Sequence, residues 1–68
     1  MTIFVNKTSF EISEGATIRL FLEQHLPEQG LQGIAIALNN RVVPKDSWSK
    51  QFLQHEDKLT IITATQGG

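Results

Sequence analysis

The start of the chain alternates between apolar and polar positions with the two-residue period of a β-strand. Residues 2–6 are mostly β-branched or aromatic, and residues 8–13 alternate between apolar and polar side chains. Between them, Asn6 tolerates the left-handed backbone that a tight turn needs. The pattern therefore predicts a hairpin of two strands joined at Asn6 and Lys7.

A helical period replaces the strand period after Gly15. Over residues 17–26 the apolar side chains recur three and four positions apart, which gives a helix one stripe to bury against a sheet. Thr17 can cap this helix, and Pro27 and Gly30 end it. We therefore expect a single amphipathic helix. Its stripe consists of Ile18, Phe21, Leu22, His25 and Leu26.

Strand patterns return in the second half of the chain. They cover residues 34–38, 41–43 and 58–64, with Asn39 and Asn40 as turn formers between the first two and Pro44 ending the second. Residues 46–50 suggest a single helical turn. We expect Trp48 to cover the end of the core rather than to stack on a ligand.

The order of these elements predicts the fold. The predicted order is strand, strand, helix, strand, short strand and strand. This is the order of an α+β, ubiquitin-like β-grasp domain, in which one helix packs across a mixed sheet of four or five strands. The first and last strands of this fold lie side by side and parallel. We expect residues 1–64 to form the domain and residues 65–68 to be a flexible arm ending in Gly67 and Gly68. The residues expected to be buried are Ile3, Val5, Phe10, Ile12, Ile18, Leu22, Ile36, Leu38, Leu59 and Ile61.

Composition removes several classes of function. The chain has 68 residues, a formal net charge of -1 and scattered lysines and arginines, so we expect neither a second domain nor a nucleic-acid partner. It contains no cysteine, which excludes disulfides, thiolate metal sites and a persulfide held on a side chain. No apolar run approaches the roughly 20 residues of a membrane span. We expect a cytoplasmic protein without a membrane partner.

The ionisable residues form no recognisable catalytic or metal-binding pattern. His25 belongs to the helix stripe and His55 to a polar stretch, with no third ligand in view, so we expect no metal and no cofactor bound by the chain itself. No nucleophile stands beside a base. We therefore expect a protein that is not an enzyme and has no catalytic residues.

The final pair, Gly67 and Gly68, is the strongest functional signal. About one chain in 200 would end in two glycines by chance. The alternative explanation is a frayed terminus or residues left by an expression vector. Without Cβ atoms, such an arm can lie extended in a narrow channel and bring its carboxylate to a nucleotide on another protein. That carboxylate is ionised near neutral pH, since its reference pKa is about 3.3 to 3.7. It therefore needs activation, for instance as a mixed anhydride with AMP, before sulfur can add to it.

Two apolar residues are expected on the outer face of the sheet. Alternation places Phe4 in the first strand and Ile62 in the last strand away from the helix, and the fold makes these strands neighbours. Exposed apolar side chains cost solubility unless a partner covers them, although scattered ones are normal. We interpret Phe4, Ile62 and, in the arm, Gln66 as a partner interface.

Several short stretches along the chain form a recognisable set. They are Ile3-Phe4-Val5-Asn6, residues 17–23, Ala37-Leu38-Asn39, Val42-Val43-Pro44-Lys45 with Trp48, residues 58–62, and Gly67-Gly68. With these residues the sequence resembles, over its whole length, the ThiS family of sulfur carriers in thiamine biosynthesis, within the MoaD/ThiS superfamily. The Val-Val-Pro-basic-x-x-Trp stretch favours ThiS over the small subunit of molybdopterin synthase, which shares the fold and the Gly-Gly end.

The resemblance implies a function for the arm. Gly68 would be adenylated by an E1-like, ThiF-type adenylyltransferase using ATP and Mg2+, and Gly67 would be required for access. A cysteine desulfurase or another persulfide donor would supply sulfur, and the resulting thiocarboxylate would serve a ThiG-type thiazole synthase. The alternatives are a molybdopterin-type sulfur carrier, a ubiquitin-like protein modifier conjugated through Gly68, and a β-grasp binding module with an incidental tail.

Overall fold

The structure is a computed structural model that describes residues 1–26 and 33–63. Its elements are β1 (Thr2–Val5), β2 (Thr8–Glu11), α1 (Ile18–His25), β3 (Ile34–Leu38), β4 (Arg41–Val43), a short 3-10 helix (Lys45–Ser47) and β5 (Lys58–Thr63). The predicted order of strands and helix is confirmed. The expected helix terminators Pro27 and Gly30 and the expected arm at residues 65–68 lie outside the described residues.

The five strands form one mixed sheet in the order β2-β1-β5-β3-β4. β1 and β5 run parallel, with Phe4 opposite Lys58 and Val5 opposite Leu59. The other neighbouring strands pair in antiparallel fashion. The expected parallel contact between the first and last strands is therefore confirmed, and it makes β5 the central strand.

Two hairpin turns of the same type join β1 to β2 and β3 to β4. Asn6 and Lys7 have φ angles of 48° and 72°, and Asn39 and Asn40 have φ angles of 51° and 71°. Positive φ at both central residues is typical of the type I′ turn, whose twist matches that of the flanking strands. Asparagine adopts this conformation more readily than most residues. Both predicted turns are confirmed.

The helix α1 begins at the predicted cap. Thr17 Oγ1 accepts a hydrogen bond from the Leu20 amide at 3.2 Å, and Leu26 follows the last turn as the C-cap. His25 continues the stripe but remains exposed, with its ring stacked on Phe21 at a centroid distance of 4.2 Å. The residues that α1 buries are Ile18, Phe21 and Leu22.

The core lies between α1 and one face of the sheet, and Trp48 closes one end of it as expected. Its indole is buried, and Nε1 donates a hydrogen bond to the Val43 carbonyl oxygen at 2.9 Å. A buried indole N–H needs such a partner, because leaving it unpaired would cost free energy. The core residues are Ile3, Val5, Ile18, Phe21, Leu22, Ile36, Trp48, Leu53 and Leu59.

The sequence pattern was wrong about the margins of this core. Leu53 is only 3% exposed although no pattern predicted it, and its amide donates to the Ala16 carbonyl oxygen at 2.8 Å. Conversely, four residues expected to be buried are half-buried, because they pack against the edge of the cluster rather than inside it. They are Phe10, Ile12, Leu38 and Ile61.

Side chains alternate between the two faces along β5. Leu59 is 1% exposed on the core face, whereas Ile62 is 51% exposed on the outer face. Thr60 lies on the outer face between them. One strand therefore contributes both to the core and to the accessible surface.

Replacing Thr17 with alanine should remove the helix cap and little else. The Leu20 amide would lose its acceptor, which lowers the free energy of unfolding by about 1 kcal/mol. For a domain of this size that corresponds to a decrease in Tm of about 4 to 8 °C, measurable by circular dichroism. Thr17→Ser keeps the hydroxyl and is the control. Equal stability of the alanine and serine variants would contradict the assigned cap.

Glutamate substitutions should distinguish the two faces of β5. Leu59→Glu would bury a carboxylate, at a cost of several kcal/mol, close to the total stability of a small domain. Ile62→Glu keeps its charge in solvent and should change stability by no more than about 1 kcal/mol. Urea titration measures both values. A folded Leu59→Glu variant would show that the face assignment is wrong.

Candidate functional site

The outer face of the sheet contains the two apolar residues that the sequence placed there. Phe4 on β1 is half-buried, and Ile62 on β5 is the more exposed of the pair. On β3, Ala35 lies opposite Ile62 and Ala37 lies opposite Thr60. Alanines are too short to cover their neighbours, so the outer side of β5 remains accessible along its length.

Phe4 and Ile62 lie on the outer face of two neighbouring strands, but they are not side by side. Phe4 is opposite Lys58, because β1 pairs with the beginning of β5. Ile62 lies four residues further along β5, which is about 13 Å at the rise of a strand. Phe4 is also less exposed than expected. The candidate interface is therefore an elongated outer strip formed by Phe4, Thr60 and Ile62.

An open groove of about 670 Å³ lies along the outer strip at the turns of the two hairpins. Lys7 and Lys58 give it positive charge, while Phe4 supplies an apolar surface. This combination suits an apolar or acidic side chain of another protein better than a cation. The residues that line the groove are Phe4, Asn6, Lys7, Asn40, Lys58, Leu59, Thr60 and Ile61.

The asparagines of the two turns hold β5 near its two ends. Asn6 Oδ1 accepts a hydrogen bond from the Ile61 amide at 2.8 Å, and Asn6 Nδ2 donates to the Ile61 carbonyl oxygen at 3.2 Å. At the start of the strand, Asn39 Oδ1 accepts from the Lys58 amide at 3.0 Å. The sequence predicted both asparagines only as turn formers, since a local pattern contains no signal for bonds to a distant strand.

The direction of β5 determines where the chain leaves the sheet. The strand runs from Lys58 to Thr63 and passes Ile62 immediately before its end. The predicted site residues Gln66, Gly67 and Gly68 lie outside the described residues. The structure thus describes the strand that leads to the predicted arm, together with the surface beside its exit.

Both histidines make contacts within the domain. His55 Nδ1 accepts a hydrogen bond from the Thr2 amide at 3.0 Å, and His25 packs on the aromatic rings beside α1. Within the described part of the chain, no group of three or more histidine, cysteine or acidic residues is placed to hold a metal ion. In the same part, no helix has the length and hydropathy required to cross a membrane.

Comparison with known proteins identifies the family. The family model for ThiS matches residues 2–68. The sulfur carrier protein ThiS of Escherichia coli (strain K12) is 29% identical over 68 residues, which is 100% of both chains. A crystal structure of the thiamine biosynthesis protein ThiS from Geobacter metallireducens has a TM-score of 0.80 at 18% identity and covers 100% of both chains, a likeness that shows the β-grasp fold. The resemblance seen in the sequence is confirmed, and the chain belongs to the ThiS family.

Proposed function

We propose that this chain is a sulfur carrier for thiamine biosynthesis and that its working group is the terminal carboxylate of Gly68. The observation that supports this most strongly is the ThiS family match, which extends over residues 2–68 and includes both final glycines. The Escherichia coli relative of the same length is a sulfur carrier protein. Because the chain has no cysteine, a side-chain thiol is not available for the task.

Activation is the first chemical step of the proposal. A carboxylate oxygen of Gly68 attacks the α-phosphate of ATP, pyrophosphate leaves, and a mixed anhydride with AMP forms. The ATP and Mg2+ belong to an E1-like adenylyltransferase of the ThiF type. This chain contributes only the carboxylate and the surface that docks it, so it acts as a carried substrate rather than as an enzyme.

Sulfur transfer follows from the reactivity of the anhydride. The terminal sulfur of a persulfide, derived from a cysteine desulfurase, adds to the Gly68 carbonyl carbon, and AMP leaves. A second thiol of the donor system then attacks the sulfur–sulfur bond, which leaves a thiocarboxylate on Gly68 and a disulfide on the donor. The thiocarboxylate is the nucleophile offered to a ThiG-type thiazole synthase.

Docking requires a surface beside the exit of the arm, and the outer strip provides one. Residues 64–68 can extend about 17 Å beyond Thr63 at 3.3 to 3.6 Å per residue. A partner seated over Ile62 could therefore receive the terminal carboxylate in its own cleft. The positive charge from Lys7 and Lys58 favours a partner with acidic residues opposite the groove.

Changing Ile62 to glutamate should weaken docking of the adenylyltransferase. Ile62 is half exposed on the outer strip, and a carboxylate there would meet an apolar or acidic partner surface. We expect the Kd to rise about tenfold or more, in the range of a hot-spot residue. Calorimetry with the purified adenylyltransferase measures this change.

The matched control is Leu20→Glu. Leu20 is 43% exposed, similar in size to Ile62, and lies on α1, which covers the opposite face of the sheet. Its replacement should leave the Kd unchanged. If both glutamate variants weakened binding equally, or if neither weakened it, the outer strip would not be part of the proposed interface.

Changes in the arm should abolish adenylation without unfolding the domain. Deleting Gly68 leaves the terminal carboxylate about 3.5 Å short of the α-phosphate. A misplacement of about 1 Å in a reacting group can already cost about a hundredfold in rate. Gly67→Val places a β-branched side chain in the channel of the partner. Both variants should keep the Tm of the wild type, because the described core lies within residues 1–63.

ATP–pyrophosphate exchange catalysed by the adenylyltransferase measures the activation step directly. We expect exchange to fall to background with the truncated chain and to fall strongly with Gly67→Val. Exchange at the wild-type rate with the truncated chain, followed by normal sulfur uptake, would exclude Gly68 as the carrier site.

A further inference from the structure

The side chain of Asn6 continues the pairing between β1 and β5 after β1 has ended. The amides of Phe4 and Asn6 donate to the carbonyl oxygens of Asp57 and Leu59, at 2.9 and 3.1 Å. This ladder advances by two residues on each strand, so the Ile61 amide is the next β5 group facing β1. Asn6 turns away there, with φ of 48°, and its side-chain oxygen takes the place of a main-chain acceptor.

Both polar groups of Ile61 are occupied in this way. Asn6 Oδ1 accepts from the Ile61 amide, and Asn6 Nδ2 donates to the Ile61 carbonyl oxygen. On the other side of the strand, β3 pairs with β5 as far as Thr63, which lies opposite Ile34. Ile61 is therefore the last β5 residue for which the described structure shows support from both neighbours.

We propose that Asn6 is a positioning residue for the reaction at Gly68, because it anchors the last part of β5, from which the chain continues toward Gly68. This inference rests on the proposed function. Without the side-chain amide, β5 would be held from one side only after Leu59, and Ile61 to Thr63 would open more often. Each residue that leaves the sheet in this way gains conformational freedom, and this freedom must be lost again when the terminal carboxylate is placed at the α-phosphate.

The chain contains a matched control for this idea. Asn39 is also the first residue of a type I′ turn, with φ of 51°, and its Oδ1 also accepts from a β5 amide. That amide belongs to Lys58, at the start of β5 and at the opposite end of the strand from Thr63. Glycine adopts positive φ without strain, so Asn6→Gly and Asn39→Gly remove the side-chain bonds and keep the turns.

The test compares the two glycine variants as substrates of the adenylyltransferase. For Asn6→Gly we expect kcat to fall about tenfold or more. We expect a smaller rise in KM for the carrier, because Asn6 also lines the groove of the outer face. For Asn39→Gly we expect both constants to match the wild type. Hydrogen exchange of the Ile61 amide should accelerate in Asn6→Gly and remain slow in Asn39→Gly.

Asn6→Asp provides the conservative variant. A carboxylate keeps the acceptor for the Ile61 amide but has no donor for the Ile61 carbonyl oxygen, so its kcat should lie between those of the wild type and Asn6→Gly. If Asn6→Gly does not fold, the kcat of Asn6→Asp is the deciding measurement. A wild-type kcat for Asn6→Asp would then overturn the proposal. Equal kcat values for the two glycine variants would also overturn it. Failure of the wild-type chain to be adenylated would instead reject the proposed function.

Discussion

The parallel contact between β1 and β5 determines what this small domain can do. A parallel pair needs a long crossover, and here β2, α1, β3 and β4 all lie between the two strands in sequence. The crossover helix covers one face of the sheet and leaves the other accessible. Because β5 is central, the chain leaves the domain from a strand that has neighbours on both sides. The part of the chain that follows Thr63 thus continues from a strand in the middle of the sheet, beside an open surface.

The structure separates stability from the proposed chemistry. The core lies between α1 and the inner face of the sheet and consists of side chains that a partner does not need to reach. The outer strip contributes little to that core. A domain of this size has only a few kcal/mol of net stability. A side chain that had to serve both the core and a partner interface would therefore be subject to conflicting requirements. The alternation along β5 avoids this conflict, with Leu59 facing inward and Ile62 outward.

Local patterns predicted every strand, the helix and both turns, because each has a strong period or a specific turn chemistry. They could not predict Leu53, which lies in a polar segment without periodicity and is anchored by a bond to a distant main chain. The offset between Phe4 and Ile62 depends on strand register, which a single strand does not specify. The bonds from Asn6 to Ile61 join residues 55 positions apart, so they became visible only in the folded chain.

The central claim is that Gly68 carries sulfur, and intact-mass analysis tests it most directly. The full chain would be incubated with its adenylyltransferase, ATP, Mg2+ and a persulfide donor, and then fragmented to locate any added mass. We expect a gain equal to the exchange of one oxygen for one sulfur, confined to fragments that contain Gly68 and absent when ATP is omitted. An unchanged mass, or sulfur located elsewhere in the chain, would contradict the account.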